Sequence, residues 1–417
     1  MVFRKRYLHN KHIDKYVLMP YYAFNEHTPS ERPLETLDKT PTTPFIYIDT
    51  NDGLLDIVKK METAIRVAVD TEADSLHHYY EKTCLLQVSF DEQHFIIDPL
   101  ADIDIHIFLD AIKDKTLLFH GADYDLRMLK DSFGFTPGKP VIDTMIAAKL
   151  LNYEQLGLLA LVQQICDVTL CKTGQKSDWS RRPLTDAQIK YAVDDTRFLE
   201  QVATHLIKEI ESQGRMAWYT EWVENVVASA IQTRPEPDPE RIWRLKGLKD
   251  YSIRELGYVR AIWHWREKIA QETDLPPFRI IENRYILHLS IWAASSSDPK
   301  GEIGIKLPKN CVGNRLTLLK EAIAIATDLT EEELPTPLKR ERTNKSGPKF
   351  KALRDIVAKT ATKLNLAPQI IASRALLESI AYHQVDSYDE LREHTALMKW
   401  QAEILAPKIK GLFEEPS

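Results

Sequence analysis

IRVAVDTE, residues 65–72, is the stretch on which the reading of this chain turns. Side chains alternate between the two faces of a strand, so Val67 and Val69 share one face while Asp70 and Glu72 share the other. The valine face can pack a core. The other face carries two carboxylates whose backbones lie roughly 7 Å apart, close enough to share or bridge metal ions. Taken alone, D-x-E also describes a solvent-facing strand edge, and a chain with 61 acidic residues contains such pairs by chance. Two further stretches give it weight: Asp125 in HGADYDLRML (120–129), and Tyr191 with Asp195 in IKYAVDDTRFL (189–199). Burying an isolated carboxylate costs several kcal/mol unless a cation compensates it. Converging carboxylates therefore imply bound metal, and hard divalent cations suit such oxygen donors.

Outward from this strand the pattern alternates. FIYI (45–48) reads as a strand and 54–61 as a helix. TCLLQVSF (83–90) and HFIID (94–98) read as a hairpin turning at Asp91-Glu92-Gln93, and TLLFH (116–120) as a strand followed by a helix over 123–133. Such alternation predicts an α/β sheet with helices on its faces. Asp125 then falls in the first turn of a helix at the carboxyl end of a strand, where α/β proteins gather ligands. A first-turn acid also serves as a helix-dipole partner, with Asp123 the expected N-cap. A long helix is expected from Thr185, capped by Thr185 and Gln188, to about residue 212. On it Tyr191 and Asp195 share a face that continues through Leu199 and Val202. Asp194, turned about 100° away, is expected on the surface. Tyr191 is either a core tyrosine with a satisfied hydroxyl or a group that orients water.

The 417 residues, 44% of them hydrophobic, suffice for two or three domains. No apolar run approaches the roughly 20 residues of a membrane span. Arg4, Lys5 and Arg6 are followed by no apolar segment of a secretory signal. Four cysteines make no disulfide framework at this length, and Cys166 with Cys171 lacks a second ligand pair for zinc. A reducing cytoplasm is the expected compartment. Net charge is −6, but its distribution is uneven: residues 1–240 hold 26 Lys+Arg against 38 Asp+Glu, and 241–417 hold 29 against 23. An acidic half joined to a basic half suits a metal-binding unit beside a phosphate-contacting one, although solvated surface charge gives the same figures. QTRPEPDPE (232–240) reads as a linker. Beyond it, Ser252 and Glu255 form a capping box, with Leu256, Val259, Ile262, Trp263 and Ile269 at helical spacing. A second helical cluster over about 351–405 gives the appearance of a diverged tandem repeat.

In order, VDTE, H-x-x-x-Y-D-L and Y-x-x-x-D resemble the three motifs of the DEDDy exonucleases, and most closely those of the ribonuclease D family. IIDPL (96–100), VIDTMIAAKL (141–150) and DWSRRPLTDAQIKYAVDD (178–195) support the likeness, which runs through 45–212. Residues 243–277 resemble an HRDC domain, a helical nucleic-acid module, and 366–381 resemble a more diverged copy. Ala73 departs from the family pattern, which usually has an aromatic residue there.

The resemblance implies an α/β ribonuclease H-like exonuclease domain, a mixed sheet flanked by helices, followed by two all-α HRDC-like domains. The boundaries expected are an N-terminal extension at 1–40, the exonuclease domain at 41–213, a helix end and linker at 214–240, HRDC at 241–295, a connector at 296–345 and a second HRDC-like domain at 346–417. It further implies two Mg²⁺ or Mn²⁺ ions held by Asp70, Glu72, Asp125 and Asp195, with Tyr191 orienting the attacking water. The implied reaction is 3′→5′ removal of nucleoside 5′-monophosphates from RNA, such as tRNA precursors or other structured 3′ ends, by a cytoplasmic monomer. His120, Arg181, Arg182 and Lys190 are the candidate substrate contacts; for the cations, ordinary surface pairing is the alternative. Arg260, Arg266, Lys268 and Arg279 are further candidates to track a nucleic-acid backbone, and His77 and His78 stand either near the substrate or on a surface loop. An exonuclease acting on DNA and a non-catalytic HRDC-type binding protein are the competing readings.

Overall fold

The computed structural model describes residues 43–170, 174–233, 235–337 and 347–413. The expected extension at 1–40 and part of the connector lie outside these. The described residues form two units, one made of 43–74, 82–232 and 347–413 and the other of 75–81 with 233–337.

The first unit is built on a six-stranded sheet of order β1-β4-β3-β2-β5-β6. Its strands are β1 (Ile46–Ile48), β2 (Arg66–Ala73), β3 (Thr83–Phe90), β4 (Gln93–Ile97), β5 (Thr116–Phe119) and β6 (Val141–Asp143). The β2–β3 and β3–β4 pairs are antiparallel; β1–β4, β2–β5 and β5–β6 are parallel, so the sheet is mixed as expected. The hairpin turns on two residues rather than three. Asp91 (φ 46°) and Glu92 (φ 58°) both adopt the left-handed conformation of a tight hairpin turn, and Gln93 already pairs with Phe90. Val67 and Val69 are fully buried with Leu86 and Val88. On the other face of β3 and β4, Leu85 and Ile96 pack under Trp179, Ala192 and Val193.

The helices of this unit are α1 (Asn51–Lys60), α2 (His106–Ile112), α3 (Ala122–Phe133), α4 (Thr144–Leu150), α5 (Leu158–Cys166), α6 (Asp186–Arg197), α7 (Leu199–Ser212) and α8 (Met216–Ile231). The Thr185–Gln188 capping box is formed as expected, an N-cap worth about 1 kcal/mol. The single long helix expected from Thr185 is in fact two. Phe198 leaves helical geometry (φ −103°, ψ 1°), so the stripe Leu199, Val202, Leu206 and Ile210 buries independently of Asp195.

The other unit contains α9 (Ile253–Thr273), α10 (Pro277–Ile280), α11 (Asn283–Ser295) and α12 (Asn314–Asp328), around a core that includes Trp243, Trp263 and Trp265. The Ser252–Glu255 capping box opens α9. Residues 75–81, which follow β2 in the chain, are held in this unit. Tyr79 is 4% exposed, and its hydroxyl accepts from Gln271 Nε2 (2.9 Å) and donates to Glu267 Oε2 (3.3 Å). At the end of α9, Asp274 Oδ1 accepts from the backbone N–H groups of Tyr79 (3.0 Å) and Tyr80 (3.2 Å), and Oδ2 pairs with His78 Nδ1 (2.8 Å). The connector expected at 296–345 is corrected in part: it contains α12, which packs on α9 through Leu319, Ile323 and Ala326.

The C-terminal helices α13 (Pro348–Leu364), α14 (Pro368–Ile371), α15 (Arg374–His383), α16 (Tyr388–His394) and α17 (Lys399–Ile409) share one hydrophobic cluster with the sheet. Glu221 of α8 accepts from the first backbone N–H groups of α17, Lys399 (2.5 Å) and Trp400 (3.2 Å). Trp218 stacks on Trp400 with ring centres 4.8 Å apart. Arg215 donates to the carbonyls of both Leu150 and Leu364.

Candidate active site

Asp70 and Glu72 lie opposite Gln87 and Leu85 of β3, on the sheet face that α6 covers. Asp195 projects from α6. One oxygen from each of Asp70, Glu72 and Asp195 falls within 4.8 Å of the others, the single such acidic group able to hold a metal ion among the described residues. Asp195 Oδ2 is buried with no hydrogen-bond partner. Asp125 stands beside this trio rather than in it. Its Oδ1 accepts from both the backbone N–H (3.0 Å) and the Oγ1 hydroxyl (2.6 Å) of Thr71.

Burial, followed by the charges of Asp125, Asp195 and Glu72, holds the Asp70 carboxyl well above its ordinary range. Glu72 is raised by burial and then by Asp195 and Asp125. Asp125 and Asp195 are each pushed up by burial to about 7. So many acids raised together are a concentration of unneutralised negative charge. A divalent cation relieves it and fills the open valence of Asp195 Oδ2, so these residues fit a bound metal.

Tyr191 sits one turn before Asp195, and its hydroxyl hydrogen-bonds to the Asp195 carboxylate. Burial and the three neighbouring acids raise its pKa, so the phenol stays protonated. Its ring lies 6.0 Å from that of Trp179. Gly174 presses on it from outside: a Cβ there would stand 2.9 Å from Tyr191 Cβ and Cγ, and its φ of +134° is a glycine conformation.

The candidate substrate contacts fare unevenly. Arg182 is corrected: all five of its N–H donors are taken by the protein. Two go to Asp98, at 2.5 and 2.6 Å, and the others to the carbonyls of Trp179, Arg181 and Cys84. Burial lowers the pKa of His120 to about 4, and its Nδ1 bonds Thr144 Oγ1 at 2.9 Å, so any contact it makes with substrate is as a neutral ring. Arg181 is 83% exposed and pairs with Asp178, while Lys190 is exposed on α6. In the helical unit, Arg266 is only 6% exposed and is bound to Glu267 and Asn283, so it tracks no nucleic acid. Asp194, expected on the surface, is 8% exposed and lies 3.8 Å from Arg197.

One organising residue escaped the sequence reading. Asp143, 2% exposed at the end of β6, accepts from Gly121 N and Ala122 N at the start of α3 and from Met145 N and Ile146 N at the start of α4. It supplies the cap expected of Asp123, which instead pairs with Arg127 on the helix surface at 3.1 Å. Asp143 thereby sets the helix that carries Asp125. Its signal in sequence was VIDTM, an acid between a short apolar run and a helix.

Residues 45–211 match the 3′-5′ exonuclease family. The chain is 30% identical over 350 residues to a ribonuclease D of Gluconacetobacter diazotrophicus, covering 81% of this chain and 86% of that one. The chain belongs to the ribonuclease D family. Its sheet domain is a 3′-5′ exonuclease, and the enzyme is a hydrolase of the ribonuclease D type. The fold agrees with that of Escherichia coli RNase D (TM-score 0.69, 23% identity, 90% of this chain and 100% of that one). It agrees also with a protein from Bifidobacterium adolescentis (TM-score 0.74, 22% identity, 89% and 97%). Among the described residues no helix is long and apolar enough to cross a membrane.

Proposed function

We propose that this member of the ribonuclease D family is a metal-dependent exoribonuclease that trims structured RNA 3′ ends, tRNA precursors among them, and releases nucleoside 5′-monophosphates. The observation that carries the reading is the convergence of Asp70, Glu72 and Asp195, one oxygen of each within 4.8 Å of the others, with Asp195 Oδ2 buried and unpartnered. Asp70, Glu72, Asp195 and, through its second oxygen, Asp125 would hold two divalent cations. The chemistry such a pair supplies is activation of a water and neutralisation of charge on the departing 3′ oxygen.

The chain's own residues do the positioning. β2 is a rigid central strand, so Asp70 and Glu72 keep a fixed spacing, while Asp195 is brought over them by α6. Tyr191 keeps its proton, so it orients the attacking water by hydrogen bonding and does not act as a base. Trp179 and the backbone at Gly174 hold the phenol in place. In this reading RNA is the partner and the enzyme works as a cytoplasmic monomer.

The test is digestion of a 5′-labelled structured RNA and a matched DNA, with Mn²⁺ and with EDTA. A ladder shortening from the 3′ end on RNA, abolished by EDTA, is expected. Preferential shortening of DNA, or cleavage that persists in EDTA, overturns the proposal.

A further inference from the structure

Thr71 lies between the two acids of β2 but points to the opposite face of the sheet. It is 6% exposed, and Asp125 beside it is 5% exposed. β5 pairs with β2 only at Arg66, Val67 and Ala68, and then diverges. Beyond Ala68 that edge of β2 is open, and Asp125 from α3 takes the place of a neighbouring strand. The Thr71 N–H donates to Asp125 Oδ1 at 3.0 Å and the Thr71 hydroxyl to the same oxygen at 2.6 Å. An unpaired buried N–H is costly, so the strand needs this acid as much as the acid needs the strand.

Two donors on one oxygen have a geometric result. Oδ1 is saturated and pinned to the strand backbone between Asp70 and Glu72, and the carboxylate cannot rotate about its own axis without losing both bonds. Only Oδ2 remains to face a cation. We propose that Thr71 is a positioning residue that makes Asp125 a one-oxygen metal ligand with its orientation set before metal arrives. This rests on the reading of the acids as a metal site. It assigns a role to the residue between the two acids, whose side chain points away from the trio.

The test is a Mn²⁺ titration followed by thermal unfolding of the full chain, with no RNA present, on the wild type and on T71V, T71A and T71S. T71V and T71A remove the hydroxyl, the second without placing a methyl against the carboxylate, so one remains readable should the other not fold. T71V and T71A are expected to raise the half-saturating Mn²⁺ concentration about tenfold, the usual loss when an outer hydrogen bond to a ligand is removed. T71S, which keeps the hydroxyl, is expected to restore the wild-type value. In a parallel assay on RNA, kcat at fixed Mn²⁺ falls for T71V and T71A while KM for RNA holds. Unchanged Mn²⁺ half-saturation in a folded T71V or T71A overturns the proposal, and so does a T71S as impaired as they are. A wild type with no Mn²⁺-linked shift overturns the metal site and this role with it. A wild type that shows the shift but cuts no RNA defeats only the RNA reading, and the Thr71 comparison still decides.

Discussion

Arg182 and Asp98 form a two-pronged ion pair, Nε to Oδ2 at 2.5 Å and Nη2 to Oδ1 at 2.6 Å, between the loop before α6 and the end of β4. Tyr47 donates a third bond to Asp98 Oδ2 at 2.6 Å. The Asp98 side chain is only 7% exposed. Replacing Arg182 by Met leaves that carboxylate buried and short of partners. The expected loss is about 3 kcal/mol of stability, read from the urea midpoint. KM for RNA should not move, and a raised KM with unchanged stability would return Arg182 to the substrate.

Asp70→Asn and Asp195→Asn each remove a charge from the trio. Turnover is expected to fall at least ~100-fold, with the circular dichroism spectrum retained. Near-normal turnover in either purified variant would defeat the assignment of these acids. Metal-free stability should rise, because each acid now repels the others from a buried position.

The pH dependence follows from the same repulsion. Asp125 and Asp195 have folded values of about 7, against about 3.9 for a free aspartate. A carboxyl raised on folding adds stability below its unfolded value and gives it up as pH rises through its folded value. In EDTA the melting temperature is therefore expected to fall between about pH 4 and pH 7. Saturating Mn²⁺ should flatten that fall, and Asp195→Asn should shrink it. A metal-free melting curve that does not change across this window would contradict the clustering of these acids.

Gly174→Ala puts a methyl 2.9 Å from the Tyr191 side chain in a backbone conformation that alanine resists. The phenol would then be displaced from Asp195, and from the water it is proposed to orient. Single-turnover cleavage is expected to slow by about tenfold or more, within the usual range for misplaced catalytic groups, with RNA binding little changed. Tyr191→Phe should slow the same step, and adding Gly174→Ala to it should cost little more. Fully additive effects would show that Gly174 acts elsewhere.

Much of this was legible in local pattern. Val67 and Val69 against Asp70 and Glu72 is a period of two, and it marked both the core face and the acidic face of β2. The capping boxes at Thr185 and Ser252 marked helix starts because they use neighbouring residues alone. What escaped was set by contacts distant in sequence. Asp143 caps α3 from the end of β6, which no window around residue 122 contains. Arg182 looked like a phosphate ligand because Asp98, its partner, is 84 residues away. Asp194 is buried on α6 beside Arg197, which the helical spacing of the acids alone does not disclose. The spacing of Leu319, Ile323 and Ala326 in α12 was, by contrast, present to be read in a stretch expected to be only a connector.

The path of the polypeptide between its two units has a practical meaning for anyone who would shorten it. Among the described residues the backbone passes from one to the other after Asp74, returns after Glu81 and leaves again after Gln232, and residues 347–413 belong once more to the first unit. No single cut severs them cleanly. A fragment ending near residue 213 would keep Tyr79 but strip away the aromatic and aliphatic neighbours that shelter it. It would also strip α8 from α3, α4 and β6, and with it the C-terminal helices that share its hydrophobic cluster. Such a fragment should be sticky and prone to precipitate, so the nuclease is better handled whole.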